Sequence, residues 1–131
     1  MTNTNYKTIA SKIKFEGRAF INGKYVDAID GEKFETINPA TGETLCSVAK
    51  CNSKDVDLAV KVSRKAFNSG VWSRTSPEFR KDVLLKFAEL LRTHGVENSV
   101  LECIDTGKLI GDCINEVAND APMHFQWYGE L

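Results

Sequence analysis

At Asn52 the hydrophobic period of this chain changes from two to about 3.6 residues, and that switch does most to limit what it can fold into. Before it, short apolar runs sit between turn pairs. Phe20-Ile21 and Tyr25-Val26 flank Asn22-Gly23-Lys24, and Asn-Gly favours a type I′ hairpin because both residues tolerate positive φ. Asp30-Gly31 separates Tyr25-Val26-Asp27-Ala28-Ile29 from Phe34-Glu35-Thr36-Ile37 in the same way. Pro39 presets the φ of the next turn, and Gly42 suits the left-handed position that ends it. Thr44 to Ala49 reads as another short strand. A small antiparallel meander is expected, not a barrel, preceded by a polar, loose arm over residues 1–17.

After the switch the pattern is helical. Asn52 or Ser53 can cap a helix that carries Val56, Ala59, Val60, Ala66 and Phe67 on one side, with Asp55 near its positive end and Gly70 as its stop. Ser76-Pro77-Glu78 combines a cap, a proline at N1 and an acid in the first turn. Val83, Leu84, Phe87, Leu90 and Leu91 form the stripe that follows, and Gly95 stands where a C′ glycine would. A third helix is expected over 96–106, stopped by Gly107, and a fourth from Ile110 to the end of the chain. Phe125, Trp127 and Tyr128 bring a large apolar area to that end, which needs covering by a partner or by further chain.

The 131 residues suffice for one domain or part of one, and 42% hydrophobic with 27% charged residues is ordinary for a soluble globular protein. A net charge of −1, with no basic run, argues against nucleic acid as a partner. No secretory signal core and no membrane-length apolar run is present, so a cytoplasmic location is expected. Cys46, Cys51, Cys103 and Cys113 include no Cys-x-x-Cys pair and read as reduced structural thiols, not as a zinc site or a nucleophile. His94 and His124 lack a second ligand at i+3 or i+4. Gly107-Lys108 lacks the remainder of a phosphate loop, and no Gly-x-Gly-x-x-Gly occurs. Most carboxylates read as solvated helix faces. Asp105 is set apart by its place one residue before Thr106-Gly107-Lys108, where a local Asx-type bond could steady the turn.

Six pieces in order carry a family resemblance: Phe20-Ile21-Asn22-Gly23-Lys24; Asn38-Pro39-Ala40-Thr41-Gly42-Glu43; Asp55 to Val60; Ala66-Phe67-x-x-Gly70-x-Trp72-Ser73; the Arg80 to Leu91 helix; and Leu101 through Asp105-Thr106-Gly107-Lys108. Over residues 18–131 they resemble the N-terminal part of the NAD-dependent aldehyde dehydrogenase superfamily, an α/β family. The Trp127-Tyr128-x-Glu130 ending is most similar to the branch acting on amino-aldehydes, especially γ-glutamyl-γ-aminobutyraldehyde dehydrogenase of putrescine breakdown. Leu109 stands where a proline usually follows the lysine, and Gly129 replaces the usual alanine.

The resemblance implies a complete enzyme with a Rossmann-type domain for NAD or NADP, a catalytic domain and an oligomerisation arm. There a cysteine thiolate attacks the aldehyde, hydride passes to the cofactor, and a glutamate-activated water releases the acid. Residues 18–131 would be the first, incomplete part of the cofactor domain, with no catalytic or cofactor-binding residue and no activity alone. Marginal folding is expected, since the helices lack the sheet they would cover. The matching positions for a structural monovalent cation are Ile37 and Asp105, and Asp120 borders the substrate entrance in relatives, where an acid suits an amino-aldehyde. The family is usually homo-oligomeric. The competing expectation is a non-enzymatic helical interaction protein derived from that family, which would cover Phe125, Trp127 and Tyr128 with a partner or by self-association.

Overall fold

The computed structural model describes residues 4–131, which divide into two compact units: 15–37 with 43–75, and 4–14 with 38–42 and 76–131. The first of these begins with the hairpin β1 (Ala19–Ile21) and β2 (Lys24–Val26), paired antiparallel with Phe20 opposite Tyr25. Asn22 (φ 55) and Gly23 (φ 74) both take left-handed backbone, as the type I′ turn demands. The Phe20 and Tyr25 rings lie 5.1 Å apart, and the Arg18 guanidinium stands 5.5 Å from the Tyr25 ring.

A second antiparallel hairpin joins β3 (Lys33–Ile37) to β4 (Thr44–Ala49), with an irregularity between Thr36 and Ile37. The strands are antiparallel as expected, but β2 and β3 do not pair, so there are two hairpins and no continuous meander. The reason lies at Asp30-Gly31. The Gly31 N–H closes a tight turn onto the Ala28 carbonyl (2.8 Å), while Asp30 turns its carboxylate to Glu32 N–H (3.0 Å) and Asn52 Nδ2 (2.6 Å). Those bonds fasten the loop beside the next helix and keep it from acting as a hairpin tip.

That helix is α2 (Ser53–Ser69). Asn52 Oδ1 accepts from Lys54 N–H (2.8 Å), and Asp55 Oδ2 accepts from Asn52 N–H (2.9 Å), the two halves of a reciprocal cap. The other Asp55 oxygen accepts from Ile29 N–H (2.9 Å), so a buried carboxylate ties helix start to loop. Gly70, in left-handed backbone, ends α2 as expected.

The helical unit opens with α1 (Tyr6–Ala10), capped by Asn5, where a loose arm is expected from the sequence; residues 1–3 of that arm lie outside the described residues. Its backbone is largest in α3 (Pro77–Thr106), a single 30-residue helix with the Ser76 cap and Pro77 at its start. The expectation of two helices parted at Gly95 is corrected here. Gly95 is buried mid-helix, and a Cβ on it would stand 2.8 Å from the Ala118 Cβ. It is a point of close helix crossing, not a cap. His94 is therefore also mid-helix, 3.9 Å from Glu97.

After α3 come α4 (Ile110–Cys113), a π-helical segment over Ile114–Asp120, and α5 (Ala121–Glu130). The Ala121 N–H reaches back five residues to the Glu116 carbonyl. Pro122, fully buried, explains part of that widening, because it has no N–H and its ring would strike the carbonyl four residues earlier in a regular α-turn. The buried Gly129 lets α5 close on α3, since an added Cβ would lie 3.1 Å from Leu84 Cβ. Ala88, Val100 and Cys113 form the core of this unit, and Ala28 and Ala49 that of the other.

Candidate functional site

The two motifs most telling in sequence meet in the helical unit. Asn38 Oδ1 accepts from Ala40 N–H (2.9 Å), and Gly42 N–H donates to the Asn38 carbonyl (2.8 Å), which shapes the turn. Pro39 rests on Gly107, the left-handed glycine (φ 76) ending α3: a Cβ there would stand 2.8 Å from Pro39 Cγ. Gly107 N–H closes on the Cys103 carbonyl (3.0 Å). The Thr106 hydroxyl donates to the Glu102 carbonyl (2.7 Å) and accepts from Lys108 N–H (3.3 Å). Lys108 pairs with Glu116, and that hydrogen bond raises the lysine pKa above its ordinary value. This pair, and the buried Ser99 whose hydroxyl reaches the Gly95 and Cys113 carbonyls, are absent from the sequence reading. A lysine and a glutamate eight apart across a helix break give no periodic signal.

Of the candidate cation positions, Asp105 is exposed in the last turn of α3, where the helix dipole is negative. Ile37 is the last residue of β3, in the other unit, at the ladder irregularity opposite Thr44. Among the described residues no group of three His, Cys, Asp or Glu is placed to hold a metal ion. Asp120 is exposed at the end of the π segment, next to the start of α5.

The aromatic end of the chain is only partly covered. Phe125 packs edge-on against Phe87, ring centroids 4.6 Å apart, whereas Trp127 is 62% and Tyr128 69% exposed. Leu84, His124, Phe125 and Tyr128 line an apolar cleft of about 240 Å³. None of the four cysteines is joined in a disulfide. Burial pushes the Cys113 thiol pKa up, which keeps it protonated and a poor nucleophile. Cys51 is exposed; Cys46 and Cys103 are half-buried. No described helix is long and apolar enough to cross a membrane.

Two hairpins, a capped helix, and a long helix closed by a glycine under a proline turn make up the described α/β architecture. The chain matches the aldehyde dehydrogenase family over residues 25–131 and belongs to that family. It is 53% identical over 106 residues to aldehyde dehydrogenase 1 of Tanacetum cinerariifolium, covering 81% of this chain and 21% of that protein. Among solved structures it is similar to γ-glutamyl-γ-aminobutyraldehyde dehydrogenase of Burkholderia cenocepacia (TM-score 0.90, 41% identity, 95% of this chain and 25% of that one). It is likewise similar to the indole-3-acetaldehyde dehydrogenase of P. syringae solved in complex with NAD+ (TM-score 0.90, 40% identity, 95% and 25%). The chain thus spans about a quarter of the length of the proteins it matches.

Proposed function

We propose that residues 18–131 are the N-terminal part of the cofactor domain of an NAD(P)-dependent aldehyde dehydrogenase of the cytoplasm, oxidising an amino-aldehyde to the acid in putrescine breakdown. We further propose that this polypeptide is inactive alone. The observation that carries the reading is the family match over residues 25–131 within a span of about a quarter of the relatives' length. The chemistry agrees with it. Cys113 is a buried thiol held above its ordinary pKa, the opposite of what a thiolate nucleophile needs. In the complete enzyme Asp120 would lie near the substrate entrance, where its carboxylate would attract the ammonium of an amino-aldehyde. Ile37 and Asp105 would contribute oxygens to a monovalent cation, a role that the negative end of α3 favours at Asp105.

The test is direct. The purified 131-residue chain, given an amino-aldehyde and NAD+ or NADP+, should form no reduced cofactor above a blank, and steady turnover would refute the inactivity. A second reading, a non-enzymatic interaction protein, is favoured by one feature, the exposed Trp127 and Tyr128. Under either reading these rings need covering, by the remainder of the enzyme or by another copy. A strictly monomeric chain with no partner, measured by light scattering and pull-down, would count against the interaction protein.

A further inference from the structure

We propose that residues 114–120 form a two-register segment and that the buried Ser99 hydroxyl locks it in the wider, π register. Ser99 is fully buried in α3, with Oγ 2.7 Å from the Gly95 carbonyl and 3.1 Å from the Cys113 carbonyl. The first contact is the back-bond that a helical serine commonly makes. The second leaves α3 and lands on the residue immediately before the π segment begins. A hydroxyl has one proton, so the two carbonyls share it, and the Cys113 carbonyl is drawn away from its own helix axis. A carbonyl tilted in this way opens the i+4 ladder, as other side-chain insertions do. The next N–H along the chain then becomes the better partner.

Pro122 acts at the opposite end. It removes one donor just past the segment and its ring excludes an α-turn onto the Ala118 carbonyl, but neither effect fixes where the widening starts. The register matters because one residue corresponds to about 100° of helix rotation. Relaxing the segment to α would turn Ala118 off Gly95, where it now sits 2.8 Å from a would-be Cβ. It would also swing Gly129 away from Leu84 and part the Phe87–Phe125 rings. Both glycine crossings fit the π register, and Ser99 holds the segment to it.

Amide hydrogen exchange on Ser99→Ala and Pro122→Ala variants of this chain tests the lock. In Ser99→Ala, interchange between the π and α registers breaks these hydrogen bonds in passing, so amides 117–121 should exchange about tenfold faster relative to amides 84–91 of α3 in the same sample. Pro122→Ala should leave amides 117–121 protected. The proposal is overturned if Ser99→Ala leaves those amides unchanged or accelerates both groups equally. It is also overturned if Pro122→Ala alone releases the segment, or if the unsubstituted chain shows no protection there.

Discussion

Gly95→Ala separates two physical accounts of the long helix by the sign of its effect. In an open helix interior, alanine for glycine stabilises by about 1 kcal/mol, because glycine loses more backbone entropy on folding. At Gly95 the new methyl would stand 2.8 Å from Ala118 Cβ and 2.9 Å from Ala118 Cα. Ordinary carbon contacts lie at about 3.5–4.0 Å, so both distances are deep in the repulsive wall. One of the two atoms is backbone, which no rotamer change can move. The helix and the π segment must part, at an overpacking cost of about 1–3 kcal/mol. Set against the propensity gain, the outcome is a net loss of up to about 2 kcal/mol. Circular dichroism should show the helix-melting midpoint falling by roughly 3–5 °C for each kcal/mol lost. Adding Ala118→Gly should recover part of that loss, since it removes the Cβ contact and leaves the Cα one. A midpoint that rises in Gly95→Ala would refute the crossing.

Three further outcomes follow from the same geometry. Asp55→Ala leaves the Ile29 and Asn52 N–H groups without their acceptor and should cost about 3 kcal/mol, read as a lower urea midpoint; Asp30→Ala, at an exposed site, should cost under about 1 kcal/mol. The hydrogen bond from Arg18 lowers the Glu16 carboxyl from 4.5 to about 2. The folded carboxylate therefore holds its proton less tightly than the unfolded one. Its contribution is full above 4.5 and is lost as pH falls from 4.5 toward 2, and a Glu16 titration by NMR with its midpoint near 4.5 would refute the pairing. Iodoacetamide with mass spectrometry should label the exposed Cys51 first and the buried, protonated Cys113 last in the native chain; early labelling of Cys113 would contradict its burial.

Much of the local structure is legible in the sequence where one residue's own chemistry decides the conformation. Asn22-Gly23 turns because both residues accept positive φ, and Ser76-Pro77 starts a helix because its cap and its missing N–H suit that end. Gly95 misleads because a glycine that stops a helix and one that admits a neighbour look identical along the chain. The difference is made by Ala118, twenty-three positions away. Asp30-Gly31 misleads similarly, since Asn52 claims the aspartate. The start of the π segment is not legible along the chain, because Pro122 marks only its far side and the Ser99 contact comes from another helix. At the candidate site, the turn and the helix stop are legible separately, but their contact through Pro39 and Gly107 is not.

That contact distinguishes two hairpin tips that look equally expendable on paper. Around Gly23 nothing beyond its own chain neighbours lies within 4 Å of a would-be Cβ, so a peptide tag inserted between Asn22 and Gly23 has room to emerge. The Asn38-to-Gly42 tip is a peg seated on the end of α3, and a single residue added beside Pro39 would lift it from Gly107. An insertion scan of this chain should therefore find one permissive tip and one intolerant tip, although both are short, polar and exposed.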